Sequence, residues 1–293
     1  MATQVPHPFH QSDVQRVMTV DDAVTEEDWS IYIKDSSLDG FAEHGLEIIE
    51  LPDGQSMRLR CVEALTPFDM INLYNGEHDA TGSKLWMGAL FFAQAFPLLK
   101  SSFFANRRVM ELGSGTGFSG IALFILCKQA KCSPKELVLT DTDPASLKLC
   151  RWNCDINADC DESIIVRGLE WSDGAFSHGE MFETIIGTDV VYDVSVVIPL
   201  LSTVSACLLM GGTFILSHIP RASLPGASKI ASTDEMEDYI SDAASKYSLR
   251  LIETIRPMDL PKSTTKQRES ILSMHDAGAA ILLFTKDVSS AVC

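Results

Sequence analysis

Short apolar runs alternate with longer helical stretches along most of this 293-residue chain. The runs have the length of buried strands, and the stretches between them have the length and apolar spacing of helices. Predicted strands cover residues 108–112, 136–140, 164–167, 184–187, 213–217, 249–254 and 279–284. Predicted helices cover residues 85–99, 118–131, 144–157, 195–210 and 234–247. This alternation is typical of an α/β fold with a mainly parallel sheet and helices on both faces.

Glycine and proline residues indicate where some of these elements end. Gly211 and Gly212 directly follow the helix over residues 195–210, so they are predicted to stop it. The polar stretch around Pro257 and Pro261 separates the last two strands, and we predict neither helix nor strand within it.

The first 80 residues follow a different pattern. Residues 46–51 are rich in apolar side chains, residues 57–62 alternate, and a Pro-Asp-Gly turn lies between them at residues 52–54. This combination predicts a β-hairpin. We therefore divide the chain into a small β-containing N-terminal extension, residues 1–80, and an α/β domain, residues 81–293.

The charge of the chain is negative and unevenly distributed. Residues 1–80 hold 16 acidic and 4 basic side chains, so they carry −12 of the net charge of −17. A protein this acidic would repel the phosphate backbone, so no nucleic-acid partner is expected. The acidic extension could attract a basic protein, or it could simply form a solvated surface.

The cysteines and histidines give no sign of a metal site. None of the eight cysteines forms a CxxC pair, and the seven histidines lack the spacing of metal ligands.

The sequence has no basic leader followed by an apolar segment, and no apolar stretch long enough to span a bilayer. We therefore expect a monomer without a membrane partner, located in the cytoplasm or also in the nucleus.

The clearest motif is a glycine-rich loop between the first strand of the α/β domain and the helix that follows it. Residues 109–117 read VMELGSGTG, with glycines at positions 113, 115 and 117. A dinucleotide loop would place its third glycine at position 118, which is Phe118, and no Gly-Lys-Ser/Thr follows as in a P-loop. With Glu111 two residues before the first glycine, the pattern is usual for loops that bind S-adenosylmethionine. A tight turn without a ligand is the alternative.

A carboxylate at the end of the second strand supports a nucleoside ligand. Asp141 lies there and could accept the two ribose hydroxyls of an adenosine group. Asp143 precedes Pro144 and is the better candidate for capping the next helix. It also remains the alternative for the ribose role.

Four further motifs accompany the loop. They are Thr81-Gly82 with Leu85-Trp86, the helical segment Asn153 to Asn157, Leu169-Glu170-Trp171, and the segment GTDVVYD over residues 187–193. Together with the loop, they resemble the methyltransferase-16 family of non-histone protein lysine methyltransferases over roughly residues 81–220. The resemblance implies a Rossmann-like, seven-stranded methyltransferase sheet. It also implies S-adenosyl-L-methionine as cofactor and a lysine-bearing protein as substrate.

The resemblance also implies roles for individual residues. Trp86 would lie beside the methionine end of the cofactor, Trp171 near the adenine, and Asp141 at the ribose. Thr188 would contact the cofactor, although the family commonly has a small apolar residue at this position. The expected cofactor-binding residues are Trp86, Glu111, Gly113, Ser114, Gly115, Asp141, Trp171 and Thr188.

Asp189 and Tyr192 are the expected catalytic residues. The resemblance places them at the mouth through which the acceptor nitrogen enters, and they follow a central strand, where α/β sheets bind ligands. A carboxylate can orient an amine, and an aromatic face can hold a cation. Alternatively, Asp189 caps the next helix and Tyr192 is a packing residue.

These residues favour a protein-lysine methyltransferase, but two other functions stay open. The same fold serves enzymes whose acceptor is a histidine, an arginine or a small molecule. A non-catalytic binding module could also retain the fold.

Overall fold

The computed structural model describes residues 44–62, 80–158, 161–172, 179–261 and 265–287. Most of the predicted N-terminal extension, residues 1–43 and 63–79, lies outside these ranges. The hairpin of the extension lies within them.

Nine strands and six helices make up the described part of the chain. The strands are β1 (His44–Glu50), β2 (Ser56–Val62), β3 (Arg108–Leu112), β4 (Glu136–Asp141), β5 (Ile164–Gly168), β6 (Phe182–Thr188), β7 (Leu208–His218), β8 (Leu249–Ile255) and β9 (Ala280–Lys286). The helices are α1 (Met87–Ala95), α2 (Phe118–Gln129), α3 (Pro144–Ala158), α4 (Val197–Cys207), α5 (Thr233–Ser245) and α6 (Thr265–Asp276). Short 3-10 turns cover Ala80–Ser83, Phe96–Leu98, Ser101–Phe103, Val194–Val196 and Pro257–Asp259.

Seven strands form one sheet in the order β5-β4-β3-β6-β7-β9-β8. The pairs from β5 to β7 are all parallel, and β9 runs antiparallel to both β7 and β8. This is the predicted Rossmann-like, seven-stranded methyltransferase sheet, and the prediction is confirmed. Because β3 lies between β4 and β6, the loops that follow these three strands meet at one edge of the sheet.

Helices cover both faces of the sheet, as predicted. On one face, α1, α2 and α6 bury Phe91, Phe118 and Ile271 against the strands. On the other face, α4 and α5 bury Leu200 and Ile240. Both cores consist of aliphatic and aromatic side chains, whose removal from water is the main force that holds the layers together.

The predicted hairpin is confirmed, and α3 holds it in place. The Asn153 side chain accepts a hydrogen bond from the Arg60 N–H (2.8 Å) and donates to the Arg60 carbonyl (3.0 Å). Asn157 does the same with Arg58, at 2.9 and 2.6 Å. Asn153 also donates to the Thr116 carbonyl in the glycine-rich loop (2.8 Å). Both asparagines thus pair with backbone groups of β2 as a neighbouring strand would, and Asn153 also connects the hairpin to the glycine-rich loop.

The prediction that Gly211 and Gly212 stop a helix is wrong. Helix α4 already ends at Cys207, and both glycines lie within β7. Leu208 pairs with Phe182 before the register shifts at this point of the β6–β7 pair. The buried Leu208 side chain belongs to the sheet, so packing ends the helix earlier than the glycines indicate.

The polar stretch between the last two strands contains a helix that we did not predict. Helix α6 covers Thr265–Asp276, and among its side chains from residue 267 onward Ile271 and Met274 are the two that are buried against the core. Two apolar side chains three positions apart are a weak periodic signal, and the many charged residues around them mask it.

Candidate active site

A cavity of about 440 Å³ opens at the carboxyl edge of β3, β4, β5 and β6. Its size is within the range of small-molecule sites in proteins. The predicted site residues on its wall are Trp86, Gly113, Ser114, Gly115, Asp141, Trp171, Thr188, Asp189 and Tyr192. The fold therefore brings together nine of the ten residues that the sequence singled out, from five separate segments of the chain.

The glycine-rich loop turns sharply between β3 and α2. The Ser114 N–H donates to the Thr140 carbonyl at the end of β4 (2.8 Å). Gly115 has a left-handed backbone (φ +50°), and a Cβ built there would lie 2.8 Å from the Gly82 carbonyl oxygen. Only glycine combines this conformation with so close a backbone approach. The Thr81-Gly82 motif and the loop thus form one wall of the cavity.

Asp141 and Asp143 have different local roles. The Asp141 carboxylate accepts the N–H groups of Gly115 (2.9 Å) and Asp143 (3.0 Å), so it joins the glycine-rich loop to the end of β4. Burial raises the pKa of Asp141, although these two donors oppose the shift. Asp143 accepts the N–H and hydroxyl of Ser146 (2.7 and 2.8 Å), which is the geometry of a helix cap. The capping role expected for Asp143 is therefore observed.

Glu111 lies behind the loop and is absent from the wall of the cavity. Its side chain is fully buried, and it accepts the Gly120 N–H in the first turn of α2 (3.0 Å). Burial raises the pKa of Glu111 to about 8, whereas hydrogen bonds from Gly120 and Ser119 oppose the shift. We expected Glu111 to contact a ligand in the cavity, but its side chain does not line the wall. It supports the glycine-rich loop from behind.

Trp171 and Thr188 complete the part of the cavity next to the loop. A Cβ at Gly113 would come within 3.3 Å of the Trp171 ring, so the loop and the indole are in close contact. The Thr188 hydroxyl hydrogen-bonds to the hydroxyl of Ser119 in α2 (2.7 Å). This partner gives a physical reason why a polar residue is tolerated at the end of β6.

Trp86 is held by its indole nitrogen, and two cations lie close to its ring. Its Nε1–H donates to the Thr81 carbonyl (2.9 Å). The Lys84 ammonium lies 5.1 Å from the indole ring, and the Arg221 guanidinium lies 4.6 Å from it. Both distances are typical of cation–π contacts.

Asp189 is buried and held by protein donors. Its backbone is left-handed (φ +57°), a conformation that costs free energy in a residue other than glycine. Its carboxylate accepts the Gly88 N–H (2.5 Å) and the Ile219 N–H (3.3 Å), and it pairs with Arg221. The alternative that Asp189 caps the next helix is wrong, because Asp193 accepts the Ser195 N–H there.

Tyr192 is half exposed at the cavity rather than enclosed in the core.

The charged residues on the cavity wall are Lys84, Asp141, Asp143, Glu170 and Asp189. Even with Asp189 paired to Arg221, the three other carboxylates outnumber the Lys84 ammonium, so the wall favours a cationic ligand over an anionic one. Within the described ranges, no group of histidine, cysteine and acidic side chains is arranged to hold a metal ion.

Sequence reasoning missed Gly88 and Arg221 as partners of Asp189. Gly88 is the second residue of α1, and a Cβ there would come within 2.7 Å of the Asp189 carboxylate. Arg221 follows β7 by three residues. The only signal in the sequence was position, since loops that follow parallel strands meet at this edge.

A family model described as lysine methyltransferase matches residues 67–229 of the chain. The protein-lysine N-methyltransferase EEF2KMT of Mus musculus is 28% identical over 154 residues, which is 48% of this chain and 41% of that protein. The Homo sapiens EEF2KMT is 30% identical over 127 residues, 39% of this chain and 37% of that protein. The chain therefore matches less than half the length of these relatives.

Solved methyltransferase structures also resemble the chain. A T. thermophilus 16S rRNA methyltransferase in complex with AdoMet and guanosine has a TM-score of 0.48 at 14% identity. The alignment covers 83% of this chain and 50% of that one.

No helix within the described ranges is both long enough and apolar enough to cross a membrane.

Proposed function

The chain belongs to the lysine methyltransferase family, and on this basis we propose that it transfers a methyl group from S-adenosylmethionine to a lysine side chain of a protein. The observation that carries the proposal is that a single cavity gathers the glycine-rich loop, Asp141 and the Asp189–Tyr192 segment. The relatives are named protein-lysine N-methyltransferases, which supports lysine as the acceptor.

The cavity fits S-adenosylmethionine in size and in charge. Its volume of about 440 Å³ suits a ligand of this class. The ligand carries a sulfonium cation, which the surplus of carboxylates on the wall would attract. When bound, it would supply a methyl group that is already activated for transfer.

The cofactor would be held by residues of three strand ends. The backbone from Gly113 to Gly115 would follow it, and Asp141 would accept ribose hydroxyls while it keeps the Gly115 N–H. The Trp171 ring offers an aromatic face for the adenine. Trp86 would lie at the methionine end. Glu111 is assigned to support of the loop instead of direct contact.

The acceptor amine would be oriented by Asp189 and Tyr192. The ordinary pKa of a lysine side chain, about 10.4, keeps it protonated at neutral pH, so the ammonium would first release a proton to solvent. The neutral amine would then form the new carbon–nitrogen bond while the carbon–sulfur bond of the sulfonium breaks and leaves a neutral thioether. Asp189 would accept a hydrogen bond from the amine and fix its direction, and the exposed Tyr192 ring would contact the side chain that enters. Orientation of the two reactants is the main contribution that this site would make to the rate.

The proposal is tested by transfer of a labelled methyl group. The purified chain is incubated with methyl-labelled S-adenosylmethionine and a protein extract, beside the Asp141→Asn variant, and labelled proteins are separated and sequenced by mass spectrometry. We expect discrete labelled proteins, modified on lysine, with strongly reduced labelling by the variant. Label on histidine, arginine or a small molecule would contradict the proposed acceptor, and absence of both labelling and cofactor binding would contradict the enzyme function.

A further inference from the structure

Asp189 is the most tightly enclosed ionic group on the cavity wall. Its side chain is only 1% exposed, although the residue lines the cavity. Gly88 donates to it from the first turn of α1, where the helix dipole favours a negative charge. The Ile219 N–H and the Arg221 guanidinium supply the other two contacts. A carboxylate buried to this degree loses its contact with water, and these three donors replace it.

Arg221 contacts both residues nearest to the expected chemistry. One terminal nitrogen of its guanidinium pairs with Asp189, and the guanidinium carbon lies 4.6 Å from the Trp86 ring. Trp86 is itself fixed through the Thr81 carbonyl. The cavity wall includes Asp189 and Trp86 but not Arg221, so the guanidinium stands behind these two residues.

We propose that Arg221 is a positioning residue for methyl transfer, acting through Asp189 and Trp86 rather than on the substrate; this inference rests on the proposed function. Arg221 holds the Asp189 carboxylate in one orientation, and its guanidinium lies over the Trp86 ring. It also compensates the carboxylate charge. A compensated carboxylate can accept a hydrogen bond from a neutral amine without strongly stabilising the ammonium form, which cannot accept a methyl group.

The chain offers a matched control at the opposite edge of the sheet. Arg108 at the start of β3 pairs with Glu136 (2.6 Å), and its guanidinium carbon lies 4.7 Å from the Phe182 ring. These contacts repeat the combination of arginine, carboxylate and aromatic ring, but they lie far from the loops that form the cavity. Arg108→Gln therefore removes the same kinds of contact without touching the site.

The experiment compares Arg221→Gln, Arg221→Lys and Arg108→Gln with the unaltered chain. Methyl transfer is measured on the substrate labelled by the unaltered chain, cofactor affinity by calorimetry, and folding by thermal unfolding. We expect Arg221→Gln to lower kcat about 100-fold, as small misplacements of reacting groups do, with a much smaller change in cofactor affinity. Arg221→Lys should recover part of the rate because it restores the charge but not the fork. Arg108→Gln should leave the rate unchanged.

A double variant distinguishes positioning from a merely structural ion pair. If Arg221 acts through Asp189, then Arg221→Gln should cost little further rate in the Asp189→Asn background. Independent, multiplying losses would overturn the inference, as would an active Arg221→Gln or an equal loss in Arg108→Gln. Absence of transfer by the unaltered chain would overturn the proposed function, and the inference with it, whereas an active unaltered chain with an active Arg221→Gln would overturn the inference alone.

Discussion

The two edges of the central sheet carry the same combination of side chains in different surroundings. At the amino edge, Arg108 and Glu136 form an ion pair whose side chains are 29% and 28% exposed. At the carboxyl edge, Arg221 pairs with Asp189, whose side chain is 1% exposed. An aromatic ring lies beside the arginine in both cases.

The difference shows that the chemistry of a side-chain pair does not by itself mark a functional site. Glu136 lies in a regular strand and can share its charge with water. Asp189 has a left-handed backbone and depends on protein donors for its solvation. Strain and burial of this kind persist where the surrounding structure maintains them, and they are concentrated at functional sites. Strand direction decides which edge receives the loops that create such an environment.

The largest effect is expected when the negative charge of Asp189 is removed at the carboxyl edge. Asp189→Asn is expected to lower kcat by at least about 100-fold, because both the orientation of the acceptor and the partner of Arg221 are lost. The measurement is the single-turnover rate of methyl transfer with saturating cofactor. A rate close to that of the unaltered chain would remove Asp189 from the proposed machinery.

A second substitution sharpens the division of roles within the carboxyl edge. Asp141→Asn should weaken cofactor binding by about 10- to 100-fold, because hydrogen bonds to an ionised group are worth roughly 1.5–3 kcal/mol. Asp143→Asn should leave the affinity close to its original value, since asparagine also caps helices. Calorimetric titration with S-adenosylmethionine measures both. A larger loss in Asp143→Asn would assign the ribose to Asp143.

The pH dependence of stability tests whether Glu111 supports the glycine-rich loop. Its pKa is raised from 4.5 to about 8, so between these values the folded chain holds a proton that the unfolded chain releases. Stability from this group is therefore lost as pH rises, by up to about 1.4 kcal/mol for each pH unit. Urea unfolding at about pH 5 and about pH 8 should show this loss for the unaltered chain. Glu111→Gln should show a smaller one, and equal slopes would contradict the assignment.

The smallest effect is expected at the amino edge. Glu136→Gln removes a partly solvated ion pair, so the free energy of unfolding should fall by no more than about 1 kcal/mol. Methyl transfer should not change. A large loss of rate in this variant would mean that the two edges are coupled, and the contrast between them would no longer hold.

Much of the fold was predictable because local signals and packing agree. The strand at Arg108–Leu112 was predicted to the residue, and the hairpin follows from its Pro-Asp-Gly turn. Prediction failed where packing overrides a local signal. Gly211 and Gly212 looked like a helix stop, but the burial of Leu208 places them in a strand. Helix α6 escaped because, among its side chains from residue 267 onward, Ile271 and Met274 are the two that are buried.

The candidate site was also partly predictable. Nine of the ten expected residues reach the cavity, because glycine spacing and strand-end carboxylates report on chemistry close to the backbone. Glu111 does not, since alternation within a strand decides which way a side chain points. The partners of Asp189 come from α1 and from the segment after β7, at positions 88 and 219–221. No local pattern in the sequence relates these positions.

The class of sheet, the glycine-rich loop and the strand ends that carry Asp141 and Asp189 could all be inferred from the amino-acid sequence. These features depend on periodicity and on residue types that few other conformations accept, so neighbouring residues are sufficient to specify them. The folded structure was needed to show that Asp189 is buried against Gly88 and paired with Arg221, and that Arg108 makes contacts of the same kind at the opposite edge. Burial and charge compensation depend on segments that are distant in the sequence. Asp189 and Gly88, for example, are more than 100 residues apart, and only folding brings them together.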